Sequence, residues 1–152
     1  MAKLGDWQNA EALLPFFWTV RAYIEDTDAG GIVYYVNYLK FMERARTESL
    51  RALGFGKQFI LNQDSMFVVH SLNVDYKKPA LLDEQLRVEA HVMQLKRTSI
   101  IFRQNIYRDV DGITELLCSA TVKIACVSKE QMRPTAIPDV VIEKIKHAIT
   151  HQ

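Results

Sequence analysis

An α+β fold, with one long helix lying across an antiparallel sheet, is what this chain predicts, and three observations predict it. A single stretch, residues 36–53, repeats its apolar residues with the helical period. Four later stretches instead alternate apolar and polar residues with period two. Between those stretches lie turn signals and no further helical run, so successive strands are joined directly and the sheet is antiparallel.

Each element follows from its own residues. Residues 1–15 read as an N-terminal arm or short helix closed by Pro15. Residues 16–24, FFWTVRAYI, are β-branched and aromatic, which favours a strand. In the helical stretch Tyr38, Leu39, Phe41, Met42, Ala45, Leu50 and Leu53 form a broad apolar face, charged residues fill the remainder, and Gly54 supplies the stop. Residues 66–76 set Val68, His70, Leu72, Val74 and Tyr76 against Phe67, Val69, Ser71, Asn73 and Asp75. Residues 85–95, 99–108 and 116–127 continue the alternation, the last with Cys118, Ala120, Val122, Ile124 and Cys126 on one side. Breaks fall at residues 77–79, at Lys96–Arg97 and at 109–112. Pro134 and Pro138 close the final strand, and residues 140–149 form a short C-terminal helix. The reading is therefore an arm (1–15), one domain (16–138) with five strands around a long helix, and a C-terminal helix and tail (139–152). One helix leaves sheet edges and one face uncovered, and homo-oligomerisation is the expected remedy.

Composition narrows the function classes. At 152 residues, 49% hydrophobic and 24% charged, the chain is an ordinary single globular domain. A net charge of +1, with both signs interspersed, gives no general attraction to nucleic acid or an anionic membrane, so any anion site is local. No segment approaches the ~20 apolar residues of a membrane-spanning helix, and the N-terminus lacks the apolar core of a signal peptide. Two cysteines eight residues apart suit neither a metal site nor a disulfide and read as buried thiols of a cytoplasmic protein.

The most informative stretch is residues 26–38, DTDAGGIVYYVNY. Two of the chain's six glycines stand together here, directly after a pair of carboxylates and before the helix. A solvated turn accounts for the acids and the glycines, since aspartate favours turns and helix caps. It does not account for the aromatics that follow. The pattern D-x-D-x-x-G-x-V-Y-x-x-x-Y, the helical FMERARTESLRAL at residues 41–53 and KIACVSKEQMRPTAIP at residues 123–138 together resemble the hotdog-fold acyl-CoA thioesterases. The nearest group is the 4-hydroxybenzoyl-CoA thioesterase family and its YbgC-type, Tol-Pal-associated members.

That resemblance implies a helix wrapped by a curved sheet, dimers sharing a continuous sheet and often pairing into tetramers, and active sites between subunits. It makes Asp28 the catalytic carboxylate, Gly30 and Gly31 the close approach to the helix, and the Tyr35 backbone N–H the donor facing the thioester carbonyl. Many YbgC-type members carry histidine where this chain has Tyr35, whereas the hydroxybenzoyl-CoA enzyme has tyrosine. The turn Lys96, Arg97, Thr98 and Ser99, with Arg133, matches the mouth where the phosphates of coenzyme A sit. Tyr34, Tyr38 and Glu43 are candidate pocket-lining residues. No metal or redox cofactor is implied, and acyl carrier protein is a further partner to consider.

The chemistry is coherent without the name. Preorganised N–H groups at a helix N-terminus stabilise the negative charge that develops on an attacked thioester carbonyl. Glycine lets the backbone come close. A carboxylate beside that hole serves as general base or as nucleophile, and both roles stay open. Asp26 reads as a structural loop residue. Glu43, Arg44, Arg46 and Glu48 have the spacing of a solvated helix face. His70, His91, His147 and His151 stand apart from any triad or ligand spacing, and Ser49 and Ser65 lack a nucleophile-elbow context. Two functions compete: hydrolysis of an acyl-CoA to a carboxylate and free CoA, and a weakly catalytic acyl-CoA or acyl-carrier-protein binding module acting through envelope-associated partners. A dehydratase on the same fold usually depends on a histidine at a different helix position, where the chain shows none.

Overall fold

The computed structural model describes residues 15–150, so the expected arm (1–15) lies outside the described residues except for Pro15. The element order is β1 (Phe16–Arg21), a 3-10 turn at Ile24–Asp26, α1 (Tyr35–Ala52), α2 (Lys57–Asn62), β2 (Ser65–Tyr76), β3 (Gln85–Leu95), β4 (Ser99–Arg103), β5 (Ile106–Val110), β6 (Ile113–Ser128) and α3 (Asp139–Thr150). One antiparallel sheet runs β1-β3-β4-β6-β2, with β5 pairing both β3 and β6. Its described edges are β1 and β2.

The helix α1 buries Tyr38, Phe41, Met42 and Ala45, successive turns of one stripe. These residues join Leu86, Val88, Ala90, Ile100, Phe102, Val122 and Ile124 of the sheet, and Val141, Ile142 and Ile145 of α3, in one core. The apolar face predicted for residues 36–53 is the face that packs. Cys118 and Cys126 are both free and buried. Burial, helped by nearby Asp75, pushes the Cys118 thiol up to about 12, which leaves it protonated and inert at neutral pH.

The sheet differs from the alternation read along the chain in two places. The expected strand at 99–108 is one lane broken into β4 and β5, which makes six strands where five were expected. The break is at Gln104, whose fully buried side chain leaves the ladder to reach the helix. Its amide donates to the backbone oxygens of Met42 (2.9 Å) and Glu89 (3.1 Å), and its carbonyl accepts from the Arg46 guanidinium (2.7 Å). Gln104 thus ties α1 to the middle of the sheet. The second difference is in β2, where the register shifts between Val69 and Ser71. Before the bulge Phe67 and Val69 oppose the inward Cys126 and Ile124; after it Leu72, Val74 and Tyr76 oppose Val122, Ala120 and Cys118. The grouping of Val68 and His70 with Leu72 is therefore corrected, because one extra residue reverses the phase of the strand. The short helix α2 was not anticipated.

Arg46 is largely desolvated, which lowers its pKa despite the nearby Glu43. Removing its buried acceptor leaves a guanidinium and a helix carbonyl short of partners. Gln104→Ala is expected to cost about 2–3 kcal/mol of stability, read as a lower urea midpoint at unchanged m. Loss below 0.5 kcal/mol would remove this tie from the account.

Candidate active site

The stretch 26–38 folds into a tight hairpin that delivers the chain to the start of α1. Thr27 bridges Val33, and Ile32 bridges Leu81 of the β2–β3 connection. The Asp28 N–H donates to Ile32 O (3.0 Å) and the Gly31 N–H to Asp28 O (3.1 Å). Gly31 has φ +76°, a conformation that an L side chain adopts only at a cost. The carbonyl of the same residue accepts from the Leu82 N–H (3.0 Å), and the Ala80 carbonyl accepts from the Val33 N–H (2.9 Å). The paired glycines thus close a hairpin that is stitched to the neighbouring connection.

The two aspartates have different surroundings. Asp26 is buried, at 4% exposure. Its Oδ1 accepts from the Asn37 side-chain amide and its Oδ2 from the Tyr23 N–H, both at 2.8 Å, while its carbonyl accepts from the Tyr34 N–H at 2.9 Å. This carboxylate fixes the hairpin to the first turn of α1, as a structural loop residue does. Asp28 is exposed and accepts only the Gly30 N–H (2.9 Å) on Oδ1. Its Oδ2 has no hydrogen-bond partner among the described residues.

The start of α1 is bare. Its N-cap is Tyr34, which makes no side-chain cap. The Asn37 N–H turns back to Tyr34 O (2.8 Å), while the N–H groups of Tyr35 and Val36 find no acceptor among the described residues. Serine, threonine, asparagine or aspartate at the cap normally answers such donors. Tyrosines stand there instead: Tyr34 and Tyr35 are 47% and 57% exposed. A partly free carboxylate and unanswered helix N–H groups, on the two sides of one short hairpin, can polarise a carbonyl and activate its attacker.

Two residues that sequence reading passed over hold this geometry. Asn37 supplies the amide on Asp26, and its only signal was a polar residue in an aromatic helix start. Tyr76, the last residue of β2, donates its hydroxyl to Tyr35 O (3.1 Å) and packs edge-on against the Tyr35 ring. It stood out only as one more member of the alternation. Tyr38, expected to line a pocket, is buried at 3% exposure. Its hydroxyl accepts the Ala80 N–H (2.9 Å), and burial raises its pKa.

The other candidates lie elsewhere. Glu43 is exposed, about 12 Å along α1 from Tyr35 at ~1.5 Å per residue. It lines an open groove of about 660 Å³ with Trp18, Lys40, Arg44, Thr47 and Glu48. Lys96 and Arg97 are exposed in the β3–β4 turn, Thr98 is half-buried and Ser99 is buried. The Arg97 carbonyl accepts from the Ile137 N–H and the Thr98 carbonyl from the Cys126 N–H, both at 2.8 Å. Arg133 is exposed, and its carbonyl accepts from the Ser128 N–H (2.9 Å). This end of the sheet is remote from Asp28. The hairpin abuts residues 80–82, before β3 begins, and the basic turn follows the last residue of that eleven-residue strand. At ~3.3 Å per residue the strand between them is roughly 35 Å long.

The sequence profile of the thioesterase superfamily matches residues 30–115, from the hairpin glycines through most of the sheet. The chain belongs to the thioesterase superfamily. It is similar to the acyl-CoA thioesterase YbgC of Haemophilus influenzae, 45% identical over 137 residues that make up 90% of this chain and 95% of that protein. Among solved structures, a probable thioesterase from Bartonella henselae superposes on this thioesterase with a TM-score of 0.70 at 31% identity, covering 82% of this chain and 98% of that one. The 4-hydroxybenzoyl CoA thioesterase of Pseudomonas sp. strain CBS-3 superposes with a TM-score of 0.77 at 22% identity, over 86% and 98% of the two chains, and shares the fold. The hotdog fold and a thioester-hydrolase activity stand on these likenesses and on the observed helix and sheet. Among the described residues of this thioesterase no group of His, Cys, Asp and Glu could hold a metal ion, and no helix is long and apolar enough to cross a membrane.

The unequal surroundings of the two acids separate stability from chemistry. Asp26→Ala strands the Asn37 amide and the Tyr23 N–H and is expected to cost about 2 kcal/mol. Asp28→Ala, on an exposed residue, is expected to stay within about 0.5 kcal/mol of wild type. Chemical denaturation of both variants checks the contrast, and equal losses would refute it.

Proposed function

We propose that this enzyme hydrolyses acyl-CoA thioesters to a free carboxylate and CoA, at a site that two subunits build together. The observation that carries the reading is the uncapped start of α1 beside the partly unpartnered carboxylate of Asp28. The names of its relatives supply the substrate class.

In this mechanism the thioester carbonyl oxygen lies against the N–H of Tyr35, where the helix dipole adds to the hydrogen bond. Gly31 shapes the hairpin that brings the carboxylate alongside. Asp28 either takes a proton from the attacking water, so that collapse of the tetrahedral adduct expels CoA and leaves the free acid, or attacks the carbonyl carbon itself, so that loss of the CoA thiolate leaves a mixed anhydride that water then hydrolyses to the acid and free Asp28. Tyr76 and Asn37 are positioning residues: one fixes the Tyr35 peptide, the other fixes Asp26. The enzyme acts in the cytoplasm, consistent with its two buried free thiols.

The 35 Å gap is the reason for a second subunit. Coenzyme A needs local cations for its phosphates, and Lys96 and Arg97 of the same chain are out of reach of Asp28. The edge strand β2 resolves this. It is twelve residues long, contains no proline and carries a single charge, Asp75, so it lacks the usual protection of an exposed edge. Its Tyr76 end touches Tyr35, while its Ser65 end pairs with Ser128, beside the 128–133 loop. Two-fold antiparallel pairing of β2 with its copy brings the hairpin of one chain to the basic end of the other. A dimer is the minimum unit, and pairing of dimers into a tetramer through the uncovered sheet face is the larger assembly.

Asp28→Asn removes the base or nucleophile and keeps the hydrogen bond to Gly30. Its kcat/KM on acyl-CoA is expected to fall by about 10²-fold or more, with ligand binding retained. Near wild-type turnover would reject the catalytic assignment. Slow turnover in the wild type, with tight acyl-CoA binding unchanged by the variant, would favour a binding module. Arg97→Ala is expected to cost roughly 1–3 kcal/mol of binding, seen mainly in KM and weaker at high salt. An acyl-pantetheine, which lacks the nucleotide, should be hydrolysed equally well by this variant and wild type. Equal loss on both substrates would move the phosphates elsewhere.

A further inference from the structure

The short helix α2 (Lys57–Asn62) has no role in the mechanism above, yet it carries a concentrated apolar surface. Ile60 and Leu61 are 49% and 65% exposed. The helix is held in place: Phe59 packs at a tilt against the core residue Phe55 with ring centroids 4.6 Å apart, and Lys129 Nζ donates to the Ile60 carbonyl at 3.0 Å. It sits on the α1 side of the sheet, immediately before the Ser65 end of β2.

The other end of β2 has a counterpart. Tyr76 is 44% exposed and packs against Tyr35, itself 4.9 Å in ring centroid from Tyr34. Two apolar patches therefore stand at opposite ends of one edge strand, roughly 35–40 Å apart at ~3.3 Å per residue. In a two-fold interface, if patch i meets patch j then j also meets i. Full-length antiparallel overlap of two β2 strands, centred near the bulge at His70, satisfies that condition. Each α2 then faces the Tyr34–Tyr35–Tyr76 cluster of the second copy, on the same side of the shared sheet. Both patches would otherwise remain in water, and each is apolar where the basic turn is charged.

We propose that Ile60 and Leu61 of one subunit form the wall of the acyl pocket of the other, and so set which acyl chains this enzyme accepts. The inference rests on the two-subunit reading above and deepens it. The thioester lies at the Tyr35 N–H, and both arms of the ligand extend toward the same end of the second copy, the nucleotide to its cations and the acyl group between the tyrosines and α2. A methylene gained or lost against such a wall changes the rate about ten-fold or more.

Two measurements test it. Leu61→Trp narrows the pocket and is expected to lower kcat/KM on medium and long acyl-CoAs about ten-fold or more, while acetyl-CoA changes less than about two-fold. Leu61→Ala is expected to move the optimum to bulkier chains. Equal scaling of every chain length by both variants would overturn the assignment. In that case the wild type still hydrolyses the panel, which distinguishes this failure from failure of the thioesterase reading, where no acyl-CoA is turned over. The second measurement is geometric. A Tyr34→Cys, Leu61→Cys double variant treated with a short bis-maleimide should give a covalent dimer on a denaturing gel, since the two positions within one chain are too far apart to bridge. Monomer alone would remove α2 from the partner's pocket.

Discussion

The eleven-residue span of β3 is the constraint on which the proposed two-subunit site depends. It separates the Asp28 hairpin, stitched to residues 80–82, from the Lys96–Arg97 turn by roughly 35 Å, and no rotamer change closes such a gap. In the proposed reading, where acyl-CoA meets the Asp28 carboxylate at one end and the Lys96–Arg97 cations at the other, the two ends come from different copies. The same sheet geometry supplies the remedy, because β2 runs between those two ends and leaves its outer edge unpaired among the described residues.

Within one chain, the hairpin end is held by groups to which the proposed mechanism gives no reacting role. Asp26 fastens the hairpin to α1 through Asn37, Tyr76 fastens the Tyr35 peptide, and Tyr38 fastens the connection at Ala80. Gln104 then holds α1 itself to the sheet centre through Met42 and Arg46. The hairpin can therefore leave Asp28 partly unpartnered and the helix start uncapped. The missing cap costs stability, and a surrounding set of satisfied polar groups tolerates it.

Much of this was legible in the residues. The helix stripe of Tyr38, Phe41, Met42 and Ala45 and the alternation of β3 and β6 are periodic signals, and burial follows them closely. The paired glycines of the 26–38 stretch announced the tight turn that leads into the helix. What was hidden depends on single residues. Gln104 breaks a strand lane through a hydrogen bond to a helix 62 residues earlier in the chain, a contact that no local period can encode. The bulge at His70 reverses β2 in mid-strand without a glycine or proline to mark it. The six residues KQFILN of α2 are too few to show a helical period. The distance between Asp28 and Arg97 is a property of the finished sheet, so sequence reading grouped residues that one chain holds apart.

The most direct measurement is subunit complementation. Asp28→Asn chains and Lys96→Ala/Arg97→Ala chains are each expected to be impaired when assembled alone. When they are mixed and allowed to exchange, each mixed dimer has one site with both defects and one with neither. With half the dimers mixed and half their sites intact, kcat/KM for acyl-CoA should rise to about a quarter of the wild-type value. Activity that stays at the mean of the two parent variants would contradict a site built from opposite ends of two chains.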